Sequence, residues 1–234
     1  MPGDGGLNPE AFRAALVDLL PPGVALAVWG VDVHEEALYP DEEKAVRNAV
    51  PSRRREFARG RACARHALAR LGRRPGPIGV GPHRQPVWPR EIVGSVTHAG
   101  GWIAAAVASS DELVALGIDV EVMQRLETGV RDRVMQATDR LELGEATPVV
   151  VFSAKESVFK ALFPGSGVWM AYDAVSLRHG SDAGSLRVAP SGISPAAPGV
   201  EDLRGGYRVS PEWVTTGFWR QAASTISRHP TKRY

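Results

Sequence analysis

The stretch that decides the fold is Gly117-Ile118-Asp119-Val120-Glu121-Val122, in which apolar and acidic residues alternate. This period of two is typical of a strand, so the three apolar side chains share one face and Asp119 and Glu121 share the other, with their Cα atoms about 7 Å apart. Neighbouring carboxylates repel each other, and a divalent cation between them removes the repulsion; such oxygen ligands suit magnesium. An ordinary solvated strand face remains the alternative.

Further along, the sequence predicts a helix that begins at Thr147-Pro148, with Thr147 as cap, and runs to about Phe163. Steps of 3, 4, 3 and 4 along this helix define one stripe, which comprises Val149, Phe152, Glu156, Phe159 and Phe163. A carboxylate on an apolar stripe is costly unless it is paired or bound to a metal. Glu156 is therefore expected to have a cationic partner inside the molecule.

Three interpretations of Glu156 are open. Lys160, one turn further on, can pair with it. Ser153 and Glu156 also have the spacing of a capping box, although the apolar run begins well before Ser153. In the third interpretation, Glu156 meets Asp119 and Glu121 around one metal ion.

A basic helix is predicted from Pro51 to about Leu71. Nine arginines crowd this region: Arg53, Arg54, Arg55, Arg59, Arg61, Arg65, Arg70, Arg73 and Arg74. Arg54, Arg61 and Arg65 fall roughly on one stripe, with Arg53 beside it. Arginine makes forked hydrogen bonds that fit phosphate oxygens, so the cluster favours a phosphate-bearing ligand over a merely solvated basic face.

Two strands are predicted at 92–96 and 102–108, around a turn at 98–101. His98 follows Gly94-Ser95-Val96-Thr97 and can donate a hydrogen bond to a phosphate, although a capped turn residue is the simpler interpretation. The sequence contains no G-x-G-x-x-G, Walker loop or nucleophile elbow.

Composition limits the function classes. Of the 234 residues, 44% are apolar and 23% charged, and the formal net charge of +2 gives no reason to expect nucleic acid. The single cysteine, Cys63, excludes an intrachain disulfide and favours a reducing compartment. No apolar run approaches the roughly 18 residues of a membrane span, and the N-terminus lacks the pattern of a signal peptide, so a cytoplasmic protein is expected.

The order of elements is helix and strands, then helix and strands again. This order predicts an α+β fold with two halves, 1–112 and 113–234, that meet near 109–116.

Taken together, the motifs resemble the Sfp/EntD-type 4′-phosphopantetheinyl transferases. The motifs that carry the resemblance are Arg53-Arg54-Arg55-Glu56-Phe57 with Gly60-Arg61, Pro86-Val87-Trp88-Pro89, 94–98, 117–121 and Phe152-Ser153-Ala154-Lys155-Glu156-Ser157-Val158-Phe159-Lys160. The resemblance covers roughly 24–177. It implies two similar α+β halves related by a pseudo-twofold axis, each a small, mostly antiparallel sheet packed against a long helix, with coenzyme A in the cleft between them.

The resemblance also implies roles for individual residues. Arg53 and Arg61 match positions that hold the 3′-phosphate end of coenzyme A, Thr97 and His98 match the pair at its phosphates, and Lys155 and Lys160 match lysines near its pyrophosphate. Asp119, the Val120 backbone and Glu121 match metal ligands; Glu156 matches a third acid at the metal and the general base.

The coenzyme loop departs from the family pattern. It reads Val80-Gly81-Pro82-His83-Arg84, where relatives often carry lysines, so His83 or Arg84 is expected to supply the charge. Magnesium or manganese, an acidic acyl or peptidyl carrier protein, and a monomeric state are further expectations of the resemblance. A metal-dependent phosphodiesterase that uses the same acids, and a binding protein without activity, are the rival interpretations.

Overall fold

The computed structural model describes residues 9–30, 37–124 and 126–223. The helices are α1 (Pro9–Val17), α2 (Pro40–Ala45), α3 (Pro51–Arg70), α4 (Thr128–Val134) and α5 (Thr147–Ser166). The strands are β1 (Ala25–Trp29), β2 (Gly79–Val80), β3 (Pro86–Val87), β4 (Ile92–Ala99), β5 (Trp102–Ser109), β6 (Leu113–Val122), β7 (Val175–His179), β8 (Ser185–Pro190), β9 (Arg204–Val209) and β10 (Trp213–Gln221).

The first sheet has three antiparallel strands in the order β1-β5-β4. Its central strand is rich in alanine and buried on both faces. One face packs against α1 through Phe12 and Leu16, and the other packs against α3 through Ala64 and Leu68. Cys63 of α3 lies in this second layer with no exposed surface.

The second sheet has five antiparallel strands in the order β6-β10-β9-β8-β7, and α5 crosses β6 and β10. The crossing is close at Gly117, because a Cβ there would lie 2.0 Å from the Ser157 carbonyl oxygen and 2.6 Å from the Ala161 nitrogen. Glycine thus lets the helix touch the strand backbone, which sets the height of α5 above β6.

Side-chain hydroxyls join the two sheets where β4 lies beside β6. The Ser95 hydroxyl accepts a hydrogen bond from the Ile118 N–H at 3.1 Å, and the Thr97 hydroxyl accepts one from the Val120 N–H at 3.2 Å. These two bonds satisfy backbone donors that would otherwise be buried without partners at this junction.

The predicted α+β fold, with antiparallel sheets and long helices, is confirmed. Some boundaries differ: β4 continues through His98 to Ala99, so the turn lies at Gly100 and Gly101. The helix α5 begins at Thr147 as predicted, but Thr147 is its first residue rather than its cap, and its hydroxyl accepts a bond from the Leu143 N–H. Within the described residues, none of the helices is long and apolar enough to cross a membrane.

Candidate functional site

A cleft of about 290 Å³ is lined by both long helices, α3, which packs on the three-stranded sheet, and α5, which packs on the five-stranded sheet. The predicted site residues that line it are Arg53, Arg61, His83, Arg84, His98, Glu156 and Lys160. Arginines and Lys160 therefore line the cleft together with the Glu156 carboxylate.

The mouth of the cleft on the α3 side holds a linked group of charges. The Glu56 carboxylate accepts from the Arg53 guanidinium at 3.3 Å and lies 3.4 Å from the His98 Nε2. All three side chains are close to half exposed. A phosphate that arrives here can replace the Glu56 contacts of Arg53 and His98 at small cost, since exposed pairs contribute little.

Arg61 lies deeper in the cleft, and its side chain is 5% exposed. Its guanidinium stacks over the Phe57 ring at 4.5 Å and donates to the Gly79 carbonyl at 3.2 Å. Burial lowers the pKa of Arg61 to about 10, which still leaves it charged at neutral pH. Its buried Nε has no hydrogen-bond acceptor in the described part of the chain.

Two members of the predicted basic stripe serve the fold instead. Arg54 pairs with Glu43 at 2.5 Å, and Arg65 pairs with Glu42 at 3.1 Å. Glu42 is completely buried and also accepts the backbone N–H groups of Tyr39 and Ile78 at 2.9 Å each. Hydrogen bonds of this kind offset the cost of burying an ion pair. The pair therefore links α3 to α2 and to the backbone at Tyr39 and Ile78.

The predicted coenzyme loop is the turn between β2 and β3. Gln85 closes it, since the Gln85 carbonyl accepts from the Gly81 N–H at 2.8 Å and its side chain accepts from the His83 N–H at 3.0 Å. Arg84 adopts a positive φ of 67°. The loop thus presents His83 and Arg84 to the cleft, whereas Val80 belongs to β2 and neither it nor Gly81 and Pro82 line the cleft.

His83 reaches the second half of the molecule. Its ring packs edge-on against Phe163 with centroids 5.3 Å apart, and it lies 5.8 Å from the ring of Trp169. Phe159 stacks on Phe163 at 4.8 Å. These rings form an aromatic wall along one side of the cleft.

Asp119 lies at the floor, beneath the cleft lining, with 3% of its surface exposed. Its Oδ1 accepts from the Thr97 hydroxyl at 3.0 Å and from the Lys160 ammonium at 2.5 Å. Burial alone would lower the pKa of Lys160, but attraction to Asp119 and the hydrogen bond between them outweigh it, and the pKa is raised. The other oxygen, Oδ2, is buried and has no hydrogen-bond partner among the described residues.

Glu121 is near enough to both of the other acids to feel their charge. Burial raises the pKa of Glu121 to about 7, and the charge of Asp119 adds to the rise. Lys160 opposes this shift, and Glu156 contributes to it. The two other carboxylates therefore both act on Glu121.

Glu156 is held by a residue that sequence reasoning missed. The Tyr172 hydroxyl donates to its Oε1 at 2.6 Å. Burial and this hydrogen bond raise the pKa of Tyr172, so the phenol stays protonated. Lys160 pairs with Asp119 rather than Glu156, and Ser153 bonds to the Thr216 hydroxyl, so neither simple interpretation of Glu156 describes the structure.

Two predicted coenzyme ligands face away from the cleft. Lys155 is buried, and its ammonium donates to Asp139 and to the Val134 carbonyl, both at 2.9 Å. The hydroxyl of Thr97 donates to Asp119 and accepts from the Val120 N–H. Both were expected at the phosphates; the structure uses them to hold α4 and to orient Asp119.

In their present positions, the described side chains include no group of three or more His, Cys, Asp or Glu that could hold a metal ion. The chemistry of the floor nevertheless fits a cation: Asp119 Oδ2 is buried and unpartnered among the described residues, and burial, together with the charges of Asp119 and Glu156, raises the pKa of Glu121. The Val120 carbonyl lies on the same strand edge as its N–H and therefore faces β4. The metal ligands stay a prediction, developed below.

The fold and the cleft together define the class: an α+β protein with two antiparallel sheets and a cleft in which arginines lie near acids. Comparison with known proteins agrees with this class. Residues 41–108 match the 4′-phosphopantetheinyl transferase N-terminal domain family, and residues 115–207 match the 4′-phosphopantetheinyl transferase superfamily.

Individual relatives give the same result. The chain is 43% identical over 157 residues to the 4′-phosphopantetheinyl transferase Svp of Streptomyces mobaraensis, which covers 64% of each protein. It is 32% identical over 191 residues to the 4′-phosphopantetheinyl transferase PptT of Mycobacterium tuberculosis, 76% of this chain and 84% of that protein. It is also 30% identical over 135 residues to enterobactin synthase component D of Escherichia coli K12, 54% of this chain and 63% of that protein.

The chain therefore belongs to the 4′-phosphopantetheinyl transferase superfamily, and the resemblance drawn from its motifs is confirmed.

Proposed function

We propose that this protein transfers the 4′-phosphopantetheine group of coenzyme A to a serine of an acyl or peptidyl carrier protein and releases adenosine 3′,5′-bisphosphate. The observation that carries the proposal is the cleft itself, which Arg53 and Arg61 of α3, His98 of β4, and Glu156 and Lys160 of α5 all line. A nucleotide with a phosphate at each side of its ribose has the charge distribution that such a cleft binds.

Binding begins at the basic end. Arg53 and Arg61 hold the 3′-phosphate, because a guanidinium offers paired N–H donors that match phosphate oxygens. His83 and Arg84 close over the nucleotide from the β2–β3 turn. They supply the donors that lysines provide in relatives.

At the other end, the pyrophosphate lies against α5 and β4. The Lys160 ammonium has three N–H donors, of which Asp119 accepts one. The remaining two, together with His98, can donate to oxygens of the transferring and leaving groups and stabilise their charge.

The proposed holders of Mg²⁺, or Mn²⁺, are Asp119, Glu121, Glu156 and the Val120 carbonyl. When bound, the metal neutralises the pyrophosphate charge and orients it. The unpartnered Oδ2 of Asp119 and the shared charge of the three acids support this assignment.

The proposed general base is Glu156, which takes the proton of the carrier serine directly or through one water. The serine oxygen forms a bond to the phosphorus nearest the pantetheine. The bond between that phosphorus and the bridging oxygen breaks, and the electron pair leaves with adenosine 3′,5′-bisphosphate. The carrier is expected to be acidic around its serine, because arginines of α3 that face solvent border the cleft.

The test is mass spectrometry of apo-carrier proteins of the fatty-acid, polyketide and peptide-synthetase types, incubated with the protein, coenzyme A and magnesium. A gain of one phosphopantetheine on a carrier is the expected result. Hydrolysed coenzyme A beside unmodified carriers would favour the phosphodiesterase interpretation instead. A native mass measurement on the protein itself gives its oligomeric state. For that state we propose a monomer whose halves are 1–112 and 113–234.

A further inference from the structure

Tyr172, which lies outside the sequence motifs quoted above, touches the residue that carries the proposed chemistry. Tyr172 begins a short 3₁₀ segment, Tyr172–Ala174, between α5 and β7. Its hydroxyl donates to Glu156 Oε1 at 2.6 Å. The contact joins residues 16 positions apart in sequence.

Two anchors fix the tyrosine side chain, and both lie on α5. The ring packs against Phe152, one turn before Glu156, with centroids 5.8 Å apart and planes inclined by 44°. The hydroxyl then meets Glu156 itself. A side chain held at the ring and at its polar end has little rotational freedom left.

The backbone that carries Tyr172 is fixed as well. Ala174 is fully buried, and its carbonyl accepts from the Ser191 N–H at 3.0 Å. The Ser191 hydroxyl donates to the carbonyl of Asp173. The 3₁₀ segment is thus tied to the loop that follows β8 and cannot follow the Glu156 side chain if that side chain turns.

The two oxygens of Glu156 consequently differ. Oε1 is occupied by Tyr172, whereas none of the described residues donates a hydrogen bond to Oε2. Glutamate has three rotatable bonds, and an unrestrained carboxylate at the cleft wall would sample several orientations. With Oε1 held, Oε2 is the oxygen presented to the cleft.

We propose that Tyr172 is a positioning residue for transfer: it holds one oxygen of Glu156 so that the other faces the carrier serine. The proposal rests on the function proposed above. It predicts that loss of the hydroxyl lowers the rate of the chemical step and leaves coenzyme binding alone, because Tyr172 does not line the coenzyme cleft.

The variant that isolates the hydroxyl is Tyr172→Phe, which keeps the ring contact with Phe152. We expect kcat to fall about tenfold, while the KM and the calorimetric Kd for coenzyme A stay within about twofold of wild type. Tyr207→Phe is the matched control, since Tyr207 is a partly buried tyrosine of the same half that makes no contact with Glu156, and it should behave as wild type. A kcat of Tyr172→Phe within twofold of wild type, or an equal loss in coenzyme affinity, overturns the proposal.

A double-mutant cycle tests whether Tyr172 acts through Glu156. Adding Tyr172→Phe to Glu156→Gln should lower kcat by less than twofold further, and the shifts of the urea midpoint for the two changes should not add. Strictly additive shifts would mean that the two side chains do not interact. This unfolding measurement needs no carrier protein. It therefore tests the contact between Tyr172 and Glu156 even if the wild-type protein modifies no carrier and the proposed function fails.

Discussion

The helices α3 and α5 have the same length, 20 residues, and each has a proline in its first turn, yet they bury different cations. The buried face of α3 includes two arginines, Arg61 and Arg65, among its alanines, whereas that of α5 includes one lysine, Lys155, and two serines among valine, alanine, leucine and phenylalanine. Arg61 lines the cleft, whereas Lys155 is bound to Asp139, so Glu156 and Lys160 are the charged groups that α5 brings to the cleft.

The comparison also bears on the different roles proposed for the two helices. Charge in α3 is tolerated because Glu42 neutralises Arg65, which leaves Arg61 free to face the cleft. In α5 the only charged residues are Lys155, Glu156 and Lys160, and two of them reach the site. In the proposed function, recognition therefore falls to α3 and chemistry to α5.

The strongest test of this division is Glu156→Gln. Because the amide cannot take a proton, transfer to the carrier should fall at least about 100-fold, while the Kd for coenzyme A stays near the wild-type value. Single-turnover kinetics and calorimetry measure the two quantities. Glu142→Gln, an exposed change outside the cleft, is the control; near-native transfer by the Glu156 variant would remove the general base from the scheme.

The next test disrupts the close contact between α5 and β6 at Gly117. In Gly117→Ala, the new methyl group would overlap backbone atoms of α5, which cannot move aside as a side chain can. We expect the free energy of unfolding to fall by about 3 kcal/mol, measured by urea titration. Gly129→Ala in α4 adds a methyl group that meets nothing within 4 Å and should leave stability unchanged or slightly higher. Equal stability of the two variants would refute the close helix–strand contact.

The third test concerns α3. Removal of a guanidinium at the cleft mouth by Arg53→Ala should raise the KM for coenzyme A about tenfold and lower kcat by less. Arg54→Ala removes the neighbouring arginine, which pairs with Glu43 and does not line the cleft, so its KM should match wild type. If kcat falls while KM stays constant in Arg53→Ala, the assignment of recognition to α3 is wrong.

The smallest expected effect comes from Glu121. Its pKa is about 7 in the folded protein and 4.5 when unperturbed, so folding favours its protonated form. The stabilisation of the folded protein that results is complete below about pH 4.5 and is lost as pH rises through about 7. For a partly exposed group screened by solvent, we expect the metal-free protein to lose about 1 kcal/mol of stability over this interval. Urea unfolding in a chelator at several pH values measures the slope, which Glu121→Gln should flatten; identical slopes would contradict the coupling among the acids.

Periodicity was sufficient to predict the elements that hold the site. Alternation at 117–122 and the spacing of apolar residues in α5 are local patterns, and they placed Asp119 and Glu156 on elements that do meet across the molecule. The basic helix was also predicted, because arginines at helical spacing are visible in the sequence alone.

The partners of these residues could not be predicted from local pattern. Lys155 lies beside Glu156 in sequence, but successive helix positions point about 100° apart. Only the fold reveals that the Lys155 ammonium therefore meets Asp139 and not the cleft. Tyr172 and Glu42 act through contacts made across loops, for which a single sequence carries no signal. Pairing of Arg65 with Glu42 likewise depends on where α2 packs.

The burial of Cys63 has a consequence for the chemistry of a thiol-bearing substrate. Coenzyme A ends in a sulfhydryl group, which can form mixed disulfides with reactive protein thiols. Here the only cysteine is sealed between α3 and the first sheet, and burial raises its pKa to about 12, so it offers almost no thiolate for exchange. The protein can therefore handle free coenzyme and its oxidised dimer without becoming covalently attached to either.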